Sequence, residues 1–190
     1  LRMRGRPKIV LARNYEEAWL LYNRFADNTL GVISDCRFPI TEGGEKDETA
    51  GHKLFSAIRE RDPHVPLILN SSEADKAQLA KECHASFIDK NSKKMDVDLR
   101  DHLRDHFGFC DFILRNPDTM EEVARLHNLK DLQDNIMTLP ARSLLYHISH
   151  NNVSRWLASR ALFPISEFLK GITWESLQDI DAHRTIIFDA

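Results

Sequence analysis

The chain has 190 residues and a formal net charge of −3, with 42% hydrophobic and 29% charged residues, which is typical of a soluble globular protein. This small negative charge gives no reason to expect a nucleic-acid or anionic-membrane partner. No apolar run approaches the ~20 residues that a membrane span needs. Cys36, Cys83 and Cys110 lie far apart and form no CxxC pair, so they predict neither a disulfide framework nor a metal site. A reducing cytoplasm suits them.

Four short apolar runs alternate with helical patterns in the first half of the chain. They are Lys8–Ala12, Leu30–Ser34, Val65–Leu69 and Ser86–Asp89. A helix is predicted to begin after Asn14, because this residue and Glu17 have the spacing of a capping box. Three further helices are predicted, one after each of the later runs.

Short apolar runs that alternate with helices are typical of βαβ units and a parallel sheet. The strands of such a sheet are buried on both faces, which is why each one reads as a continuous apolar run. We therefore predict an α/β domain over residues 1–107, with a polar loop from Thr41 to Ala50.

The pattern changes in the second half of the chain. Gly108–Arg115 and Val123–Leu126 read as two strands joined by a turn, and helical patterns follow to the end. Trp156 and Trp174 are predicted to fill the core of these helices. We predict a small α+β, mainly helical extension over residues 108–190.

Three polar residues close the second, third and fourth apolar runs: Asp35, Ser71 and Lys90. In an open α/β sheet, function collects at the carboxyl ends of the strands. A carboxylate such as Asp35 can accept a phosphoryl group, Lys90 can neutralise phosphoryl oxygens, and the Ser71 hydroxyl can hydrogen-bond the same group. Each residue alone is explained well enough as the polar end of a strand. All three in this order favour a phosphoryl site.

These residues and their neighbours resemble the motifs of response-regulator receiver domains. Asp35-Cys-Arg-Phe-Pro39 is similar to the phospho-acceptor loop, the strand that ends at Ser71 is similar to the switch strand, and Phe87-Ile-Asp-Lys90 is similar to the last strand. The resemblance implies a flavodoxin-like receiver sheet with Asp35 as the phospho-acceptor, Ser71 and Lys90 on the phosphoryl group, and Pro39 in the acceptor loop. It also implies that Phe87 is the switch aromatic, although a buried core phenylalanine is an equally good interpretation.

The sequence departs from this family in two places. Asn91 stands where a proline usually follows the lysine. The family's first strand, which carries an acidic pair at its end, has no counterpart before the first apolar run, and Lys8–Ala12 is similar to the second strand instead. In this topology the first strand lies between Lys8–Ala12 and Leu30–Ser34, whose backbone groups need partners. We therefore expect it upstream of Leu1 in the native protein, or supplied by another chain.

The resemblance also implies a metal, because the family's acidic pair holds Mg²⁺ together with the phospho-acceptor. In this chain Asp35 would bind Mg²⁺ only if an acidic pair is present upstream of Leu1, and otherwise we expect no cofactor. The chain begins without an initiator methionine, which favours a fragment of a longer protein.

Three stretches of the second half form a further series: Phe107–Arg115, Leu139–His147 and Asn151–Arg160. They resemble the region that joins a receiver-like domain to the catalytic part of certain bacterial proteins related to phosphoenolpyruvate synthase and pyruvate phosphate dikinase. The most specific positions are Tyr146, His147, Asn151, Ser154, Trp156, Leu157 and Arg160. The resemblance implies an N-terminal regulatory part. The ATP-grasp, phosphohistidine and pyruvate-binding domains would follow after Ala190.

Three hypotheses of function stay open. The leading one is a receiver-like regulatory module, either a phospho-acceptor or a pseudo-receiver, that signals through its C-terminal helices to a larger phosphoenolpyruvate synthase-like phosphotransferase. The first alternative is a structural pseudo-receiver used for domain docking or dimerisation. The second is a stand-alone response regulator, although the C-terminal helices lack the basic recognition helix of a DNA-binding output.

The leading hypothesis carries further expectations. This chain is not itself an enzyme, and it acts in the bacterial cytoplasm. Its partners are the downstream catalytic domains of the same protein, with a histidine kinase and a second copy in a homodimer as further candidates. Nucleic acid and membrane are not among them.

Overall fold

The computed structural model describes residues 7–170 and 180–189, which contain nine α-helices and seven β-strands. These residues form two compact units, one over Pro7–His102 and one that begins at Leu103. The sequence placed the boundary after Phe107, a few residues later. Trp174, which was predicted to lie in the core, is outside the described residues.

The first unit is a mixed α/β structure. Its helices are α1 Tyr15–Phe25, α2 Ala50–Arg61, α3 Ala77–Glu82 and α4 Met95–His106, the last of which continues into the second unit. Its strands are β1 Val32–Asp35, β2 Phe38–Pro39, β3 Lys46–Asp47, β4 Leu67–Ser71 and β5 Ser86–Asp89. Single 3₁₀ turns follow α1 and precede α3. β1, β4 and β5 form a parallel sheet in that order, so the predicted parallel α/β arrangement is confirmed.

Helix α1 begins where the sequence predicts. The Asn14 side chain accepts a hydrogen bond of 2.8 Å from the backbone N–H of Glu17, and the Glu17 carboxylate accepts one of 2.7 Å from the N–H of Arg13. The first bond satisfies a backbone donor that the first turn of a helix leaves without a partner, and the second fixes the chain just before the cap residue.

Helix α2 lies close to the end of β1 because residue 51 is a glycine. A Cβ atom at Gly51 would be 2.2 Å from the carbonyl oxygen of Asp35, so any larger residue would push α2 away from the sheet. The Gly51 N–H donates a 2.9 Å hydrogen bond to the carbonyl of Cys36. This contact positions the chain directly after Asp35.

The core of the first unit lies on one face of the parallel sheet. Phe55 and Ile58 of α2 are fully buried against Leu67 and Leu69 of β4, and Tyr22 of α1 joins the same cluster. Burial of each large apolar side chain contributes about 1.5–3 kcal/mol. The sheet and its helices therefore form a stable support for the loops at the carboxyl ends of the strands.

The prediction of a strand over Lys8–Ala12 is wrong. These residues have no regular structure, and the side chains of Ile9, Val10 and Leu11 are 88, 55 and 80% exposed. An apolar run becomes a strand only when a neighbour satisfies its backbone groups, and no described strand does so here. Among the described residues, β1 pairs with β4 only, and its Ile33 is 46% exposed.

The second unit begins with an antiparallel strand pair and continues as helices, as predicted. The strands are β6 Phe112–Arg115 and β7 Glu122–Leu126, and the helices are α5 Leu129–Asn135, α6 Ala141–Ser149, α7 Asn152–Ala158, α8 Phe163–Lys170 and α9 Ile180–Asp189. Trp156 is 1% exposed, which confirms its place in the core. None of the helices in the described stretches has the length and apolar character to cross a membrane.

Candidate functional site

The carboxyl ends of the three parallel strands bring Asp35, Ser71 and Lys90 together. Asp35 is the last residue of β1, Ser71 is the last residue of β4, and Lys90 directly follows β5. Asp35 is level with Asn70 in the sheet register, so the strands end at the same edge. The Lys90 ammonium donates a 2.7 Å hydrogen bond to Oδ2 of Asp35. The structure therefore brings the three predicted residues to one edge of the sheet, and their roles there stay predictions.

A cavity of about 220 Å³ opens at this edge, and we call it the strand-end cavity. Asp35, Ser71 and Lys90 all line it. Its charged lining comprises two carboxylates and four cations: Asp35, Glu73, Arg37, Lys46, Lys76 and Lys90. The cations of the lining outnumber its carboxylates by two. Because Arg37 pairs with Glu48 outside the lining, one cation remains in excess, which favours an anion.

Both oxygens of the Asp35 carboxylate accept hydrogen bonds. Oδ1 accepts one of 2.7 Å from the backbone N–H of Cys36, and Oδ2 accepts the Lys90 ammonium. The backbone N–H of Lys90 donates a 2.9 Å hydrogen bond to the Ser71 carbonyl, which connects the end of β4 to the residue after β5. The Asp35 side chain is 47% exposed and that of Lys90 is 36% exposed, so a ligand can reach both charged groups.

The Ser71 hydroxyl lies in the buried floor of the cavity. Ser71 is 4% exposed, and its Oγ accepts a 3.2 Å hydrogen bond from the backbone N–H of Glu73. Because the hydroxyl acts as an acceptor in this bond, it keeps its own proton to donate to a bound anion. The structure therefore places the Ser71 hydroxyl at the cavity, and its role as a donor to a phosphoryl group stays a prediction.

Two of the predicted site residues lie outside the cavity lining. Phe87 is half-buried, level with Leu69 in the sheet, and packs against the core of the first unit. Pro39 lies in β2 opposite Lys46. Their proposed roles as switch aromatic and acceptor-loop proline stay predictions, since both roles concern a change of state.

Sequence reasoning missed several residues of the site. Lys46 reaches the cavity from β3, inside the segment that was predicted to be a polar loop. The side chain of Lys76 is only 16% exposed and lies 3.6 Å from the Glu73 carboxylate. Asn91 donates a 2.8 Å hydrogen bond to the Ser72 carbonyl and thereby joins the loops after β4 and β5. The spacing of Glu73 and Lys76 is local, but the position of Lys76 at the cavity and the placements of Lys46 and Asn91 depend on long-range folding, which no local pattern signals.

Cys36 is buried beside the site and is not a nucleophile there. It is 1% exposed, and its thiol donates to the Glu48 carbonyl at 3.3 Å. Burial raises the pKa of the Cys36 thiol despite the opposing charge of Lys76. The thiolate is the reactive form of cysteine, so at neutral pH this side chain stays protonated and unreactive.

The described residues do not form a magnesium site by themselves. Mg²⁺ takes oxygen ligands in octahedral geometry and is usually held by carboxylates. The strand-end cavity offers two carboxylates, and each lies beside a lysine: Asp35 beside Lys90 and Glu73 beside Lys76. Nowhere in the described ranges do three or more histidine, cysteine, aspartate or glutamate side chains form a group that could hold a metal ion.

The second unit contains another group of side chains with polar atoms, and these atoms form hydrogen bonds within the fold. Trp156 donates from its indole nitrogen to the Cys110 carbonyl at 2.9 Å, and the Arg160 guanidinium lies 3.9 Å from the centre of the indole ring. Arg160 also donates to the carbonyls of Gly108 and Cys110 at 3.0 and 2.8 Å. We call these residues, together with His147, the Trp156 cluster.

His147 belongs to this cluster through Phe112, whose ring it meets edge-on at 5.2 Å between centroids. It is 6% exposed, and its Nε2 accepts a 2.8 Å hydrogen bond from the backbone N–H of Arg115. Burial, with smaller contributions from the charges of His150 and Arg115, lowers the pKa of His147 to about 4. The ring is therefore neutral at physiological pH and serves as a hydrogen-bond acceptor within the fold.

Comparisons with protein-family models, with curated proteins and with solved structures find no match. The support for a function is therefore the chemistry of the strand-end cavity, together with the resemblance of the motifs that line it.

Proposed function

We propose that residues 1–107 are a receiver-like regulatory module and that Asp35 is its phospho-acceptor. The observation that carries this proposal is the 2.7 Å contact between the Lys90 ammonium and the Asp35 carboxylate, at the ends of parallel strands and beside the buried Ser71 hydroxyl. A nucleophilic carboxylate, a cation for phosphoryl oxygens and a hydroxyl donor are the groups that such a transfer needs.

The proposed reaction transfers a phosphoryl group from an acyl phosphate or a phosphohistidine to Asp35. An oxygen of the Asp35 carboxylate attacks phosphorus and forms a new P–O bond, while the bond from phosphorus to the donor breaks and the donor leaves with its electron pair. Lys90 moves from the carboxylate to the phosphoryl oxygens, and the Ser71 hydroxyl donates a hydrogen bond to them. Mg²⁺ is a cofactor of this module only where further acidic side chains join Asp35.

The proposed fold of the module is flavodoxin-like, which adds a parallel strand beside β1. Two observations support this addition. The outer edge of β1 pairs with no described residue, and Ile33 on it is 46% exposed. The apolar residues from Ile9 to Leu11 are exposed as well and form no strand in this structure; in the proposed fold they become one only when they pair with the far side of the added strand. The strand comes from elsewhere in the native protein or from another chain.

We further propose that the module regulates a larger phosphoenolpyruvate synthase-like phosphotransferase in the bacterial cytoplasm. The support is the resemblance of the series that ends with Asn151–Arg160. In this proposal the chain is not an enzyme. The second unit passes the state of Asp35 to the downstream catalytic domains, a histidine kinase is the donor, and a homodimer is the assembly.

A second candidate is the structural pseudo-receiver, which docks domains or dimerises without phosphorylation. One observation favours it: the carboxylates that line the strand-end cavity are outnumbered by cations and do not form a magnesium site. In that case Asp35→Ala changes neither the assembly nor the activity of the full-length protein.

Incubation of the full-length protein with acetyl phosphate and Mg²⁺, followed by peptide mass spectrometry, tests the leading proposal. We expect one phosphoryl group on Asp35 that hydroxylamine removes. Asp35→Asn should abolish it, whereas Asp89→Asn should not, because Asp89 ends β5 of the same sheet but does not line the cavity. Absence of an adduct, or an adduct on another residue, would leave only the pseudo-receiver.

A further inference from the structure

The strand-end cavity has more positive charge than its own carboxylates can neutralise. Lys90 pairs with Asp35, and Lys76 lies 3.6 Å from Glu73. Lys46 lines the cavity and makes no ion pair with any described residue. Arg37 pairs at 3.2 Å with Glu48, and since both side chains are about half exposed, this bond exchanges readily with solvent or ligand.

The size of the cavity and its hydrogen-bond donors fit a small oxyanion. A volume of about 220 Å³ is several times the ~30 Å³ that one water occupies in the liquid. Lys46, Lys76, Lys90 and Ser71 line the cavity, and their ammonium and hydroxyl groups are hydrogen-bond donors that suit an oxyanion. Charge-assisted hydrogen bonds of this kind are roughly twice as strong as neutral ones.

We infer that the strand-end cavity binds a phosphate-class oxyanion without a divalent cation, with Lys46 and Lys76 supplying the positive charge that a metal would otherwise bring. This inference rests on the proposed function for the class of its ligand, because phosphate has the oxyanion chemistry of the phosphoryl group that Asp35 would accept. It goes beyond that function by naming a non-covalent ligand and by removing the metal from its binding.

The negative charge of Asp35 allows metal-free and metal-dependent binding of phosphate to be distinguished. The carboxylate occupies Lys90 and repels an incoming anion, so Asp35→Asn frees the ammonium and removes one negative charge. Phosphate should therefore bind more tightly to this variant, by about three- to tenfold. A site that held phosphate through a metal on Asp35 would respond in the opposite direction and lose its affinity.

The test is a calorimetric titration of the full 190-residue chain with inorganic phosphate, carried out first in EDTA and then with added Mg²⁺. We expect saturable binding at millimolar phosphate or below in EDTA, and no tightening by Mg²⁺. Lys46→Ala and Lys90→Ala should each weaken binding by about three- to tenfold. Lys53→Ala is the matched control, since Lys53 pairs with Asp47 at 2.6 Å and does not line the cavity.

Several results would overturn the inference. Binding that requires Mg²⁺, an absence of binding in both buffers, weaker binding to Asp35→Asn, or equal binding of acetate would each contradict a metal-free phosphate site. Denaturant unfolding of each variant shows that loss of binding is not loss of folding. Labelling of Asp35 by acetyl phosphate is scored separately. Phosphate binding without an adduct would support the metal-free phosphate site and contradict the phospho-acceptor role of Asp35. An adduct without phosphate binding would support that role and contradict the metal-free site.

Discussion

The strand-end cavity and the Trp156 cluster both consist of polar residues that stand out in the sequence, yet they use their polar atoms differently. In the Trp156 cluster, Arg160, Trp156 and His147 are bonded to backbone groups of neighbouring segments. In the cavity, Lys90 and Asp35 are accessible and Lys46 makes no ion pair within the described chain. The polar groups of the Trp156 cluster therefore stabilise the fold, whereas those of the strand-end cavity stay available to bind a ligand.

The largest effect on folding is expected at Trp156. Trp156→Ala removes a fully buried indole and should lower the free energy of unfolding by about 3–5 kcal/mol. Trp156→Phe keeps a ring but loses the hydrogen bond to Cys110, and should cost about 1–2 kcal/mol. Urea unfolding, followed by circular dichroism, measures both. If Lys90→Ala is as destabilising as Trp156→Ala, the strand-end cavity supports the fold as much as the Trp156 cluster does, and the distinction between them is wrong.

Acid should weaken the second unit through His147. The unfolded chain takes up a proton below the ordinary pKa of 6.5, whereas the folded ring resists protonation until about pH 4. The contribution of His147 to the free energy of unfolding is therefore fully present above pH 6.5. It falls by about 3 kcal/mol as the pH is lowered from 6.5 to 4.

His147→Gln should remove most of this pH dependence, while His127→Gln, at a side chain that is 62% exposed, should leave most of it in place. An NMR titration of the His147 ring is the direct check. A pKa near 6.5 would show that the ring is solvated and would contradict its role in the core.

Gly108→Ala should cost about 2–3 kcal/mol, for two separate reasons. Gly108 has φ +79°, which alone costs an L-residue about 1–2 kcal/mol. An added Cβ would also lie 3.0 Å from the Cα of Trp156, and backbone atoms cannot move away cheaply. Gly43→Ala is the matched control, because Gly43 has φ +72° with nothing within 4 Å of the added Cβ. Equal unfolding energies for the two variants would rule out the close approach to Trp156.

The smallest effect on folding is expected at the site itself. Asp35 and Lys90 form an ion pair between side chains that are 47 and 36% exposed, and such pairs contribute about 0–1 kcal/mol. Asp35→Asn and Lys90→Ala should therefore change the free energy of unfolding by less than about 1 kcal/mol. A loss of 3 kcal/mol or more in either variant would mean that the pair supports the fold rather than a ligand.

Local signals in the sequence were sufficient for most elements and for the centre of the site. The capping residues around Asn14 predicted the start of α1, and the run Ser86–Asp89 coincides with β5. Asp35, Ser71 and Lys90 could be grouped because parallel strands end at one edge of a sheet.

Features that depend on distant neighbours were not predictable. Lys8–Ala12 has the composition of a strand but has no described strand to pair with, and composition alone cannot supply that partner. The contribution of Lys46 depends on the pairing of β2 with β3, where Pro39, Lys46 and Asp47 have little β-sheet propensity. The close approach of α2 at Gly51 likewise becomes visible only when helix and sheet are packed together.

The most direct test of the central claim is a phosphate titration of ¹⁵N-labelled protein in EDTA, followed by NMR. We predict saturable shifts at the backbone amides that follow the three strands, Cys36, Ser72 and Asn91, and no shift at the indole N–H of Trp156. Shifts at Trp156 with none around Asp35 would place the ligand in the second unit. That result would contradict the assignment of ligand binding to the strand-end cavity.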